Sequence, residues 1–300
     1  MTSHVGALIA VLVAVAAVAA WRAWYVARVE REDAARPRSG DGILRGAEPF
    51  SFDRLGAPAV LLLHGGGDTP QTLRGLGEAL FARGFAVHAP LLPGHGRSVR
   101  DWRNVDADAW GAVVRAAHDE LRSRHAWVGF VGLSLGGALA VLEAAERPDV
   151  SALVLLAPYL SLPRTLRLGV AGSRIAGLIS PYFSANDSRS VRDPVAAAQG
   201  LAYGVFTPAA ARALQRTADA GFEALSRVQA PTLIVQSPDD NRVAATVAER
   251  AFRRLGCADK RLEWLRGGGH VITVDFGHEQ VFGRTAAWLE SHGAYALLRP

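Results

Sequence analysis

Residues Gly132-Leu133-Ser134-Leu135-Gly136 set a serine between two glycines, after the apolar strand-like run Trp127 to Val131 and before the helix-like run Gly137 to Arg147. A serine in that context sits on a tight strand-to-helix turn with its hydroxyl exposed, and small flanking residues let the turn close. The helix that follows aims its first N–H groups at any negative charge forming beside the hydroxyl. The spacing therefore predicts a nucleophilic hydrolase. An ordinary glycine-rich turn would show the same five residues, so the remainder of the chain has to supply the rest of the chemistry.

Further along the chain, apolar strand-like runs alternate with helical spacing. Ala59 to Leu63, Phe85 to Ala89, Trp127 to Val131, Ala152 to Leu156 and Thr232 to Gln236 read as buried strands, and Lys260 to Leu265 as a weaker one. Thr72 to Arg83, Asp108 to Ser123 and Phe276 to Ser291 carry helical periodicity. Repeated β–α alternation predicts an α/β fold, a mostly parallel sheet flanked by helices on both faces. Between Tyr159 and Ala230 the alternation stops: the stretch is helical in flavour, includes the helix-like Pro208 to Arg216 and shows no convincing strand. An interruption of about seventy residues is too long for a connecting loop and is expected to form a helical cap. The expected organisation is a hydrolase core from 43–158 and 231–300, with the cap at 159–230.

The N-terminus has a different character. Val5 to Ala20 is unbroken apolar sequence, followed by Trp21, Trp24 and Tyr25. Val5 to Val26 matches the roughly 20 residues that cross a bilayer core, with Arg22 placed to snorkel and the aromatics to occupy the interface. Met1 to His4 lacks the basic residues of a cleaved signal peptide, and an all-apolar run ahead of the domain does not fit a core helix. Residues 1–27 are therefore expected to be a single-pass membrane anchor and 28–42 a short helix extension and linker. Arg22, Arg28, Arg31, Arg36 and Arg38 follow the span and no arginine or lysine precedes it, which places the catalytic domain in the cytoplasm.

Serine needs a base, and the base needs an orienting acid. On a sheet of this kind these follow in the order Ser, Asp or Glu, His. After the strand ending at Gln236 comes Ser237-Pro238-Asp239-Asp240, and after the next strand Gly267-Gly268-Gly269-His270. Ser134, Asp240 and His270 are the expected catalytic residues, with Asp239 the alternative acid one residue away. The oxyanion of acyl transfer needs two N–H donors. Leu135, next to the nucleophile, and Gly66, in the turn His64-Gly65-Gly66-Gly67 after the first core strand, are the expected pair.

A single cysteine, Cys257, excludes an intrachain disulfide and a cysteine-built zinc site. The net charge of +5 comes from scattered arginines, with Lys260 the lone lysine, and no nucleic-acid motif is present. No nucleic-acid partner, metal or organic cofactor is expected, and the oligomeric state is left open.

With these residues in view, the chain resembles the α/β-hydrolases of the carboxylesterase and monoacylglycerol-lipase-like branch, also labelled serine aminopeptidase S33. The matching residues are Leu63-His64-Gly65-Gly66, Pro93-Gly94-His95-Gly96-Arg97-Ser98, Gly132 to Gly137, Pro231 to Val235 with Asp240, and Gly269-His270. The resemblance implies Ser134 as nucleophile, His270 as base, Asp240 as acid and a cap made by the insertion. The N-terminal anchor departs from the soluble members with this core. The implied activity is hydrolysis of a small-molecule carboxylic ester through an acyl-enzyme. An apolar acyl chain suits an anchored protein with an apolar cap. An acyltransferase or C–C bond hydrolase on the same triad, and a catalytically silent binding protein on the same fold, are the alternatives.

Overall fold

A computed structural model describes residues 2–161, 164–185 and 190–294. Residues 162–163 and 186–189 of the expected cap, 295–300 of the expected core and residue 1 of the expected anchor lie outside the described residues. In chain order the elements are α1 (Thr2–Ala34), β1 (Phe50–Phe52), β2 (Ala59–Leu63), α2 (Arg74–Ala82), β3 (Ala86–Ala89), α3 (Val99–Arg103), α4 (Ala107–Arg124), β4 (Val128–Leu133), α5 (Leu135–Glu146) and β5 (Ala152–Leu156). They continue with α6 (Arg164–Ala171), α7 (Ser173–Ile179), β6 (Phe183–Ser184), α8 (Pro194–Ala198), β7 (Val205–Phe206), α9 (Pro208–Ala224), β8 (Thr232–Gln236), α10 (Ala245–Arg254), β9 (Lys260–Trp264) and α11 (His278–Leu289).

Seven strands form one sheet in the order β1-β3-β2-β4-β5-β8-β9, parallel throughout except for β1, which runs antiparallel to β3. The inner strands are apolar at every position because both of their faces are covered. Val60, Leu62, Val131 and Val154 pack with Leu76 and Leu80 of α2 and Val281 and Leu289 of α11. Their neighbours Leu61, Leu63, Phe130 and Leu155 turn to the other face, where α4, α5, α9 and α10 supply Val114, Leu139, Leu214 and Ala248. Each such Leu or Val withdrawn from water is worth about 1.5–3 kcal/mol. At the edge, β9 is charged and only partly covered, which discourages further strand pairing. It was therefore the weakest strand to read. The three-residue β1 was not expected at all, and a run that short carries no readable alternation.

The strand-to-helix turn that carries Ser134, a nucleophile elbow, depends on two glycines that allow close backbone approach. A Cβ on Gly136 would lie 2.0 Å from the Leu63 carbonyl oxygen and 2.5 Å from its carbon, and one on Gly132 would lie 2.3 Å from the Gly136 oxygen. These neighbours are backbone and cannot swing aside. Gly136→Ala is expected to forfeit about 2–4 kcal/mol of stability by forcing β2 and α5 apart. Thermal unfolding checks this, and a midpoint within about 2 °C of the parent would contradict it.

The insertion between β5 and β8 holds α6 to α9, as its helical flavour suggested. It also contains a small ribbon that was not expected, with Phe183 paired to Phe206 and Ser184 to Val205. Two-residue strands are too short for a period of two to show in sequence. Helix α9 packs across α5 beside the elbow, and a Cβ on Gly221 would lie 3.2 Å from the Ala138 carbonyl oxygen.

Helix α1 is one uninterrupted element, long and apolar enough by length and composition to cross a membrane. Its outward apolar side chains are solvent-facing, Val5 and Trp24 each at 58%. The stretch 28–42, expected as extension and linker, is held on the domain. Val29 packs with Val99 and Tyr182. Glu30 accepts from Arg100 Nη2 at 2.6 Å and from the Tyr182 hydroxyl at 3.0 Å. Asp33 Oδ2 accepts from the Val99 N–H at 3.2 Å and from Arg38 Nη2 at 2.8 Å.

Candidate active site

Ser134 occupies the sharp turn between β4 and α5 with φ 53°, one of two non-glycine residues with positive φ among those described. Such a backbone is strained and persists because its surroundings fix it. The Ser134 N–H donates to the Leu156 carbonyl at 2.9 Å, and the Ser134 carbonyl accepts from Gly137 and Tyr159, each at 3.0 Å. The hydroxyl thereby stands at the carboxyl edge of the sheet.

Two other strand ends bring their loops to the same point. His270 Nε2 lies 2.9 Å from Ser134 Oγ, and His270 Nδ1 lies 2.8 Å from Asp240 Oδ2. The side chain of Asp240 is fully enclosed. Burial by itself pushes that carboxyl up, but the His270 hydrogen bond and charge, with the Val243 and Arg242 N–H groups, outweigh burial and hold it below the ordinary range. Its Oδ1 accepts from the N–H groups of Arg242 at 2.7 Å and Val243 at 2.9 Å, and its Oδ2 from Gln236 Nε2 at 2.9 Å. Asp239, the alternative acid, turns instead toward Arg192 Nη1 at 3.4 Å. One residue of register thus separates a carboxylate held against the imidazole from one at the surface.

The His270 loop is pinned to the cap as well as to the core. The N–H groups of His270 and Val271 both donate to the Ser190 carbonyl at 2.9 Å. The buried Asp275 accepts from Gly269 N–H at 2.6 Å, Phe276 N–H at 2.8 Å, and Arg192 and Asp193 N–H at 2.9 Å. Sequence reading missed Asp275. The only signal was a lone aspartate five residues after the histidine, indistinguishable in sequence from a turn residue.

Gly66 and Leu135, the expected oxyanion donors, lie together. A Cβ on Gly66 would sit 3.6 Å from Leu135 Cδ2 and 2.6 Å from Leu214 Cδ2 of α9. The cap therefore fills the place where a side chain at 66 would stand. Among the described residues neither Gly66 nor Leu135 donates its backbone N–H within the protein. The preceding turn is braced by His64, another residue whose part the sequence did not disclose. Its Nδ1–H donates to the Gly65 carbonyl at 2.9 Å, and its Nε2 accepts from Leu92 N–H at 3.1 Å. Complete burial pushes this imidazole down to about 4 and keeps it neutral, as that pattern of one donated and one accepted bond requires.

Asp68, at the end of the glycine turn, brings a second carboxyl close to the nucleophile. The point where a Gly65 Cβ would stand is 3.6 Å from Ser134 Cβ and 3.9 Å from Asp68 Oδ2. Desolvation pushes Asp68 up to about 6, against the hydrogen bonds from Thr72 and the Thr69 N–H. Between the ordinary 3.8 and about 6 the folded protein holds a proton that the unfolded chain has released, so stability falls as pH rises through that window. Asp68→Asn keeps an acceptor for Thr72 and removes this loss. It is expected to be more stable than the parent by about 2 kcal/mol at pH 8 and equal to it near pH 4. Chemical denaturation at the two pH values checks this, and a difference that does not change with pH would contradict it.

Comparison with known proteins places the chain in a family and a fold. Residues 57–276 match the family described as serine aminopeptidase, S33. The chain is 28% identical to a thermostable monoacylglycerol lipase of Bacillus sp. (strain H-257) over 83% of its own length and 97% of that protein. It is 26% identical to a carboxylesterase of Bacillus subtilis (strain 168), covering 81% of this chain and 96% of the other. Among solved structures, one reported with the metagenome-derived lipolytic enzymes LipS and LipT superposes with a TM-score of 0.77 at 28% identity, over 83% of this chain and all of that one. A monoacylglycerol lipase from Paleococcus ferrophilus gives a TM-score of 0.70 at 25% identity, over 82% and 98% respectively.

Proposed function

Because the chain belongs to the serine aminopeptidase S33 family of α/β-hydrolases, we propose that its ester-cleaving activity runs through Ser134 as nucleophile, His270 as general base and Asp240 as the orienting acid. The chain is a serine hydrolase of the esterase and lipase type. The observation that carries the residue assignment is the relay from Ser134 Oγ to His270 Nε2 at 2.9 Å and from His270 Nδ1 to Asp240 Oδ2 at 2.8 Å.

The chemistry follows from that relay. With Nδ1–H donated to Asp240, the Nε2 lone pair faces the hydroxyl and accepts its proton as Oγ attacks the ester carbonyl. Negative charge develops on the carbonyl oxygen, and the N–H groups of Leu135 and Gly66 receive it. The imidazolium, stabilised by Asp240, then protonates the departing alcohol. Water repeats the sequence on the acyl-enzyme and releases the acid.

The substrate assigned to this site is a small carboxylic ester with an apolar acyl chain, met at a membrane to which residues 1–27 anchor the chain, with 28–42 joining anchor to domain and docked on it through Glu30 and Asp33. The domain assignment is a core of 43–158 and 231–300 beneath a cap of 159–230. Two observations support the acyl preference: Leu214 of α9 and Leu135 both lie against Gly66 of the glycine turn, and α1 carries a continuous exposed apolar surface. The arginines following the span assign the catalytic domain to the cytoplasmic side. Purified full-length protein given acetyl, octanoyl and monoacylglycerol esters is expected to favour the longer chains, with free acid as product. Turnover of acetyl esters alone would overturn the acyl preference. Transfer to added alcohols in place of hydrolysis would favour an acyltransferase.

A further inference from the structure

Along the α1 helix, the cap is level with the second half of the apolar stretch, from Ala14 to Val26. A groove of about 700 Å³ runs between α1 and the end of α7. Its α1 wall extends from Ala14 through Val18 and Arg22 to Val26, and its cap wall includes Leu178 and Pro181. This fixes how much of α1 is free of the domain. Were the cap to stay in water, the bilayer would have to be crossed by residues 2–13 alone. Twelve residues of helix span about 18 Å, against a hydrocarbon core of about 30 Å. A span beginning at Val5 needs about 20 residues and so reaches to about Trp24, alongside most of the groove's Ala14–Val26 wall.

A second, independent observation concerns the free face of α7. Ile175 is 71% exposed, Leu178 76% and Ile179 52%, and Phe183 just beyond is 39% exposed. A contiguous apolar face of this kind on a helix is costly in water and suits the acyl region of a leaflet. Arg22 and Arg103, which both line the groove, have side chains long enough to carry their charge outward to lipid phosphates. The fit between α1 and the domain is held by Glu30 with Arg100 and Tyr182 and by Asp33 with Val99, so depth set by α1 is transmitted to the cap.

We propose that the exposed face of α7, Ile175-Leu178-Ile179, is immersed in the same lipid leaflet that α1 crosses, so that the cap opens onto the acyl layer rather than onto water. This rests on the reading of α1 as a membrane span. The occupant of the α1–α7 groove is then bilayer lipid, with its acyl chains along Val18 and Leu178 and its phosphates at Arg22 and Arg103.

Single cysteines carrying an environment-sensitive fluorophore test this in the full chain, reconstituted in phosphatidylcholine vesicles. The native Cys257 is buried and does not compete for label. Three sites are compared: Val15→Cys in the span, Leu178→Cys on the cap face, and Leu55→Cys, which is 96% exposed in its parent and precedes β2 at the sheet edge opposite the cap. Retained reaction of Ser134 with a fluorophosphonate shows that each variant is folded. The expected result is that labels at 15 and 178 lose emission to spin-labelled lipid and resist aqueous iodide, while the label at 55 does the reverse. A label at 178 open to iodide, with that at 15 quenched by lipid, would overturn the immersed cap and leave the anchor standing. Labels at both 15 and 178 open to iodide would overturn the anchor and the immersion together.

Discussion

Ser134→Ala is expected to lower kcat for ester hydrolysis by about 10⁴- to 10⁶-fold while leaving the protein folded. The loss is large because the hydroxyl forms the acyl-enzyme through which both halves of the reaction pass, and a methyl group cannot attack in its place. The fold survives because, among the described residues, the hydroxyl is bonded through His270 alone, whereas the backbone that shapes the turn is held by Leu156, Gly137 and Tyr159. Alanine occupies the same strained turn without repelling anything, and active-site substitutions of this kind commonly cost no stability. Steady-state rates on a chromogenic ester and a thermal melt check the two halves separately. A variant retaining more than about a tenth of parental activity would remove Ser134 from the nucleophile's position.

Asp240→Asn is expected to reduce kcat by about 10³- to 10⁴-fold with little change in KM. The size of this effect comes from geometry specific to this loop. The N–H groups of Arg242 and Val243 both donate to Oδ1, so the amide oxygen of an asparagine must take that place. Its NH₂ is then forced into the position of Oδ2, facing His270 Nδ1 and Gln236 Nε2. Two donors cannot meet, so the imidazole moves its proton to Nε2 and presents N–H to the serine. A base in that tautomer cannot take the serine proton. Stability should also suffer. Asp240 is held below the ordinary carboxylate range, so it contributes stability that is present at neutral pH and is lost only as pH falls through its folded value. Asp239→Asn is the matched control, since Asp239 faces Arg192 at the surface. Equal losses in the two variants would contradict the geometry.

The legible parts of the molecule were those whose physics is local. The buried strands at 152–156 and 232–236 could be read to the residue, because burial on both faces makes every position apolar and Pro158 and Pro231 bound the runs. The elbow was legible because Gly132 and Gly136 are each required by a backbone contact. Helix α10 has no place in the sequence reading, although Val247, Ala248 and Ala251 form its buried stripe; the small residues make a weak periodic signal. What depends on distant residues stayed hidden. His64 acts on the glycine turn only through its bonds to Gly65 and Leu92, and Asp275 gathers N–H groups from segments about eighty residues apart. The docking of 28–42 was equally invisible. Charged residues between a span and a domain read as linker until Glu30 and Asp33 are seen to have partners on α3 and the cap.

The central claim is that the hydroxyl of one serine is made nucleophilic by an imidazole 136 positions along the chain. Treating the full-length protein with a fluorophosphonate, followed by intact mass and peptide mapping, tests it directly. A single adduct on the peptide carrying Ser134, abolished in His270→Ala and in Ser134→Ala, is the result expected. Absence of an adduct on the folded protein, or an adduct that persists in either variant, would contradict it.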